Sequence, residues 1–212
     1  MIIFHHPSNI LIVGPSGSGK TTCVLNIIKQ RMLEPFPENI YFLYNIKQDF
    51  MQDYPEIKFV QGLNLDIIGT DKTRKLLIID DLMLQTNKEL GEQFIVKTRH
   101  LNCTTIFLTH ELFRNHEMHR LISNNTHYFV ILANRRQAAD VRRIGRQMEI
   151  PERIAHGYKY AISRPFGNLC ISVHTFSPEQ LTVSSDIFTK WSVIFPGTLL
   201  EESRDMKEHY HE

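Results

Sequence analysis

Short unbroken apolar runs alternate along the chain with stretches in which apolar residues recur at helical spacing. The runs are 10–13 (ILIV), 40–44 (IYFLY), 57–60 (IKFV), 76–79 (LLII), 104–108 (TTIFL), 127–132 (HYFVIL) and 168–175 (NLCISVHT). Runs of this length, apolar on successive residues, mark strands buried on both faces of a mostly parallel sheet. The helical spacing predicts helices over 19–33 (Val24, Ile27, Ile28, Met32), over 87–100 (Leu90, Phe94, Thr98, then Leu101) and over 137–148 (Val141, Ile144, Met148). The break EPFPEN at 34–39 ends the first of these, because proline cannot continue a helix. Residues 45–75 are less regular and are expected to hold a short helix and a loop. Strands alternating with helices predict an α/β fold with a mostly parallel central sheet flanked by helices.

A chain of 212 residues suffices for one domain with a sizeable core. We expect that domain over 1–200 and a tail over 201–212. With 42% hydrophobic and 22% charged residues the composition excludes a disordered chain. The net charge of +1 excludes a general polycation, so any nucleic-acid surface has to be a local patch. Cys23, Cys103 and Cys170 form no C-x-x-C pair and read as reduced thiols of a cytosolic or nuclear protein. The opening MIIFHHPSN has neither the basic nor the apolar region of a signal peptide, and no apolar run is long enough to span a bilayer. The eleven histidines are dispersed without metal-ligand spacing.

Candidate chemistry begins directly after the first apolar run. Residues 14–22, GPSGSGKTT, fit G-x-x-x-x-G-K-T through Gly14, Gly19, Lys20 and Thr21. Such a loop (Gly14, Pro15, Ser16, Gly17, Ser18, Gly19, Lys20, Thr21, Thr22) turns its backbone N–H groups inward onto phosphate oxygens. The helix that follows presents its positive end to the same anion. Lys20 would reach the outer phosphates and the Thr21 hydroxyl would help hold Mg²⁺.

The run at 76–79 leads into Asp80 and Asp81. Ligands of open α/β sheets sit beyond the carboxyl ends of the strands, so Asp80 is expected beside the phosphates as a Mg²⁺ ligand. Asp81 is placed to orient or activate an attacking water; otherwise it is a solvated acid or a helix N-cap. At least one strand separates 76–79 from the strand before the phosphate loop, which distinguishes the chain from simple nucleotide kinases. That separation suits the additional-strand, catalytic-carboxylate (RecA-like) class of P-loop ATPases.

Three further features remain open on the residues alone. The run at 104–108 ends in Thr109-His110, where a polar side chain could sense a γ-phosphate or cap the strand. Arg99 lies off the apolar face of the 87–100 helix; it is either a cation at a helix C-terminus or an arginine finger for a neighbouring subunit, with Arg120, Arg135 and Arg136 as alternatives. NRRQAADVRRIGRQM (134–148) gathers Arg135, Arg136, Arg142, Arg143 and Arg146 against one aspartate, a solvated helix face or a DNA-phosphate contact.

Taken together, GPSGSGKT, LLIIDDLM, TRHLNCTTIFLTHELF, HRLISNNTHYFVILANRR and the late IFPG resemble, in order and spacing, the genome-packaging ATPases of large double-stranded DNA viruses and Polinton-type elements. These belong to the FtsK–HerA superfamily, with poxvirus-type packaging ATPases among them. The resemblance spans residues 8–200, and its specific part is 98–136. It implies ATP as the nucleotide, a homo-oligomeric ring (hexamer or pentamer), duplex DNA as the track and a capsid packaging vertex as the docking partner. The implied setting is the host cytoplasm or nucleus at sites of virion assembly, or the virion itself. Gly14, Gly19, Lys20 and Thr21 carry over as the nucleotide loop, Asp80 and Asp81 as metal and water residues, and Arg99 as an arginine that relatives carry in this helix. His110 departs from the pattern, since relatives usually have glutamine there. Other readings of the same motifs are a helicase or DNA-processing motor, and an ATP-binding assembly switch with no DNA track.

Overall fold

The computed structural model describes residues 2–80, 82, 100–112 and 117–196. Each of the seven apolar runs forms a strand: β2 (Asn9–Val13), β4 (Asn39–Tyr44), β5 (Ile57–Gln61), β6 (Lys75–Asp80), β7 (Cys103–Thr109), β8 (Tyr128–Leu132) and β9 (Asn168–Ser172). Short strands β1 (Phe4–His5), β3 (Leu33–Glu34), β10 (Val183–Ser185) and β11 (Val193–Ile194) complete the set among the described residues. The α-helices among the described residues are α1 (Lys20–Lys29), α2 (Glu117–Asn124), α3 (Ala138–Gln147) and α4 (Pro151–Ile162).

The main sheet runs β11-β10-β9-β8-β2-β7-β6-β4-β5. From β8 to β5 all neighbours are parallel, while β9, β10 and β11 add antiparallel partners at one side. β7 lies between β2 and β6, so the strand of the phosphate loop and the strand of Asp80 are separated by one strand. This is the order expected of the additional-strand class.

Alternation along each strand divides the core into two layers. Leu11, Val13, Leu77, Ile79, Phe107 and Ile131 face α3 and α4, which contribute Val141, Ile144, Ile154 and Tyr158. Ile10, Ile12, Ile78, Ile106, Leu108 and Val130 face α1, which contributes Cys23, Val24, Ile27 and Ile28. Each fully buried aliphatic side chain is worth about 1.5–3 kcal/mol. Strands buried from both sides are therefore apolar over consecutive positions, as β2 is from Ile10 to Val13. Cys23, Cys103 and Cys170 are free and buried, and burial raises the Cys170 thiol to about 12.

Several elements end differently from their sequence expectation. The helix expected over 19–33 stops at Lys29: Arg31 takes φ +50°, and Leu33–Glu34 turns away to pair with Phe4–His5. The strand expected over 168–175 ends at Ser172. α3 follows its expected span closely, whereas the helix expected over 87–100 lies outside the described residues up to residue 99. Within 45–75 the helical content is two 3₁₀ turns, Asp49–Asp53 and Leu65–Ile68. The buried Arg153 of α4 donates to the carbonyls of Phe195, Glu179 (2.8 Å) and Gln180 (3.1 Å), fastening the last described segment to the helix. No helix among the described residues is long and apolar enough to cross a membrane.

Candidate functional site

The site forms where the carboxyl ends of four adjacent parallel strands come level. In register, Val13 of β2 pairs with Thr109 of β7, Leu108 of β7 with Asp80 of β6, and Asp80 with Tyr44 of β4. Val13 is the last residue before the phosphate loop, and the Gly14 N–H continues the ladder by donating to the Thr109 carbonyl at 3.1 Å. The loop is thereby stitched to the neighbouring strand at its first residue.

The loop then folds over the start of α1. Ser18 N–H donates back to Pro15 O (3.2 Å), and Gly19 adopts φ +88°, ψ +25° as the residue capping α1. A side chain at Gly19 would be strained in this left-handed conformation. No side chain caps the helix N-terminus, so its first N–H groups remain directed at the loop interior.

Lys20, buried, bends back over the loop. Its ammonium donates to the carbonyls of Gly14 (2.8 Å) and Pro15 (3.0 Å) and lies 3.3 Å from Nδ1 of His110. An ammonium has only donors, so as a hydrogen bond this last contact requires a lone pair on Nδ1. The Thr21 hydroxyl lies 3.4 Å from Oδ2 of the buried Asp80. These groups open on a cleft of about 420 Å³ whose walls also include Ser16, Gly17, Thr22 and Gln48.

The structure brings Lys20, Thr21, Asp80 and His110 together in this cleft. Thr109 turns elsewhere: its hydroxyl donates to Glu111 O and accepts from Glu111 N, the arrangement of a strand-end cap. Asp81 and Arg99 lie outside the described residues. The five arginines of 134–148 are not part of the cleft. Arg135 and Arg136 sit on a 3₁₀ turn after β8, Arg142, Arg143 and Arg146 on α3, all exposed. Asp140, among them, is pushed above the usual carboxylate range by burial, with Arg143 opposing and Glu111 adding to the shift.

Two residues at the site had no sequence signal. Gln48 reaches the cleft from the segment after β4. The buried Gln137 donates from Nε2 to the His110 carbonyl at 2.7 Å, joining the arginine-bearing turn to the end of β7. Gln137 is 27 residues from its partner, a contact that no local pattern reveals.

No protein-family model matches the sequence, and no curated protein matches it. Among solved structures the chain is similar to the genome packaging NTPase B204 from Sulfolobus turreted icosahedral virus 2 in complex with ATP-gammaS. That match has 12% identity, covers 84% of this chain and 96% of that one, and has a TM-score of 0.51. The AMPPCP complex of the same protein gives 13% identity, 84% and 97% coverage and a TM-score of 0.51. B204, the DNA-packaging ATPase from Sulfolobus turreted icosahedral virus, gives 13%, 80%, 94% and 0.53. At these identities the likeness is one of fold, and the fold is that of a P-loop NTPase.

Proposed function

We propose that the protein is an ATP-driven translocase of double-stranded DNA that packages a viral genome into a preformed capsid. One observation carries the hydrolytic part of this reading. A lysine-bearing phosphate loop and a strand-end aspartate, 60 residues apart in sequence, converge on one cleft with β7 between their strands. The packaging part is supported by the resemblance of residues 8–200 and by the fold shared with B204, itself described as a genome packaging NTPase.

In this reading the backbone of 14–19 and the end of α1 bind the triphosphate, and Lys20 exchanges its loop carbonyls for phosphate oxygens. Two oxygen donors 3.4 Å apart, Thr21 and Asp80, fit the hard-cation chemistry of Mg²⁺ and would hold it. When bound, Mg²⁺ neutralises charge on the phosphates. His110 senses the outer phosphate from across the loop. Asp81 orients the attacking water, and Arg99 reaches the site of a neighbouring subunit in a homo-oligomeric ring of five or six copies. Residues 1–200 form this motor, and 201–212 a tail. Arg135, Arg136, Arg142, Arg143 and Arg146 contact DNA phosphates, which carry no sequence information. The motor works where virions assemble, in the host cytoplasm or nucleus, docked at the packaging vertex.

The deciding experiment measures ATPase rate with and without linear duplex DNA, alongside the mass of the assembled particle and a strand-separation assay. Stimulation by duplex of any sequence, steeply reduced by salt and without unwinding, is the expected result. Unwinding would instead indicate a helicase, and ATP binding with no response to DNA at any salt would indicate an assembly switch. Excess Arg99→Ala subunits mixed into wild-type rings are expected to poison hydrolysis; unchanged activity removes Arg99 from the finger role.

A further inference from the structure

The cleft that holds Lys20 and Asp80 continues past the phosphate loop. A second cavity of about 390 Å³ adjoins it, and Gly19 and Thr22 stand in the walls of both. The two halves differ in chemistry. The first is lined by an ammonium, a carboxylate, an imidazole and hydroxyls. The second is lined by Leu132, Phe166 and Phe188, with two side-chain amides, Asn26 and Asn168. A trough that is ionic at one end and apolar with a few amides at the other has the polarity of a nucleoside triphosphate.

Phe166 makes the second half unusual. The residue is 82% exposed and its backbone holds φ +55°, the left-handed region in which a bulky residue is an outlier. The chain beside it cannot relax. Gly167 N donates to Arg164 O (3.2 Å), Gly167 O accepts from Ala133 N (2.9 Å), and a Cβ at Gly167 would lie 2.0 Å from the carbonyl oxygen of Ala161. An aromatic ring left in water on a strained backbone is destabilising twice over, and such strain gathers where a ligand is gripped.

Asn168, two residues on, is 6% exposed. Its Oδ1 accepts the N–H of Ile187 at 3.2 Å, which fixes the amide and leaves Nδ2 as the free-standing donor of a residue that lines the cavity. Purine rings present acceptor nitrogens at their edges and apolar faces above and below.

We propose that this second cavity seats the purine base of the bound nucleotide, with Phe166 stacked on the base face and the Asn168 amide donating to its edge. The proposal rests on the nucleotide reading above, and inorganic tripolyphosphate, which has phosphates but no base, separates the two. Binding is measured by calorimetry on the full chain with Mg²⁺-ATP and with Mg²⁺-tripolyphosphate.

Wild type is expected to prefer ATP. Phe166→Ala is expected to weaken ATP binding about 5- to 150-fold, the span of base–aromatic stacking, while tripolyphosphate affinity stays within about twofold. Phe166→Gly relieves the left-handed backbone, so it should show the same selective loss with a melting temperature no lower than wild type. Unchanged ATP affinity in Phe166→Ala, or equal loss for both ligands, overturns the proposal. So does loss of assembly in sedimentation with an unchanged ATP-to-tripolyphosphate ratio, which would assign the ring to a contact with a second copy. Wild type that binds tripolyphosphate as well as ATP overturns the base seat alone; wild type that binds neither overturns the nucleotide reading and this proposal with it.

Discussion

The ammonium of Lys20 lies 3.3 Å from Nδ1 of His110 while donating to two carbonyls of its own loop. In the proposed reading the lysine surrenders these partners when a phosphate arrives. Lys20→Ala should abolish ATP hydrolysis, since charge-assisted hydrogen bonds are the strong ones and nothing else in the cleft supplies a flexible cation from the loop. His110→Gln keeps an acceptor for the ammonium and should retain most activity. His110→Ala removes it and should lower kcat by about 10²-fold with little change in KM, the pattern of an interaction made mainly in the transition state. Steady-state kinetics check all three; a rise in KM alone would make His110 a ground-state contact.

Thr21 and Asp80 carry the second expectation. Their oxygens face each other at 3.4 Å from a helix and from a strand that is not adjacent to the phosphate-loop strand. Thr21→Ser retains the hydroxyl and should behave nearly as wild type. Thr21→Ala and Asp80→Asn should each raise the Mg²⁺ concentration needed for half-maximal ATPase and cut the rate by about 10²–10³-fold. A Mg²⁺ titration checks this, and an Asp80→Asn variant with unchanged Mg²⁺ dependence would take Asp80 out of the metal site.

Much of this arrangement was legible in the sequence because its causes are local or periodic. The phosphate loop is a contiguous motif whose glycines are required by backbone angles such as φ +88° at Gly19. The parallel strands announce themselves because burial on both faces favours apolar residues over several positions in a row. α4 was missed, and its composition explains why. Arg153 is buried among carbonyls, while Gly157 and Ala161 take up core positions that an apolar stripe would fill with larger residues. The signal that could have found it is Pro151 at the first turn, a position proline favours. The overlong first helix reflects a tertiary choice: Leu33 is apolar enough for either fate, and pairing with Phe4 decides it. Gln137 and Phe166 act through long-range placement, which no window of neighbouring residues encodes.

A cluster of rings far from the phosphate loop sets an acid sensitivity. His174 stacks on Tyr128 (centroids 5.4 Å apart) and on His5 (4.9 Å), with His127 at 5.2 Å. Its Nδ1 accepts the N–H of Phe176, and His127 Nδ1 accepts that of Asn9. Burial first, then the neighbouring His127 and His5, push His174 down to about 4 from an ordinary 6.5. Between those values the unfolded chain binds a proton here that the folded chain does not. The stability that this group contributes is therefore fully present above pH 6.5 and falls as the pH drops toward 4. Melting temperatures at pH 7 and pH 5 should differ less in His174→Phe, which keeps a ring in the stack but cannot titrate. An equal difference in wild type and variant would place the acid sensitivity elsewhere.

Gln137 offers a test of whether the arginines and the cleft communicate. Its Nε2 donates to the carbonyl of His110, and the residues before it, Arg135 and Arg136, stand on the same 3₁₀ turn. Its Oε1 is buried without a hydrogen-bond partner among the described residues, so the side chain is held at the site by its donor end. Gln137→Met keeps the length and removes that donor. The lost hydrogen bond is worth about 1 kcal/mol, a fall in melting temperature of about 2–4 °C for a chain of this size. If the turn transmits DNA contact to His110, a larger change should appear elsewhere: the ratio of DNA-stimulated to basal ATPase should drop about fivefold or more, the scale of a coupling free energy of 1 kcal/mol upward. ATP affinity should remain near wild type, because Gln137 is not among the residues lining the cleft. Rates measured with and without duplex DNA on both proteins decide it: equal stimulation in the variant would leave Gln137 a packing residue, and parallel loss of basal and stimulated rates would place its effect on His110 itself.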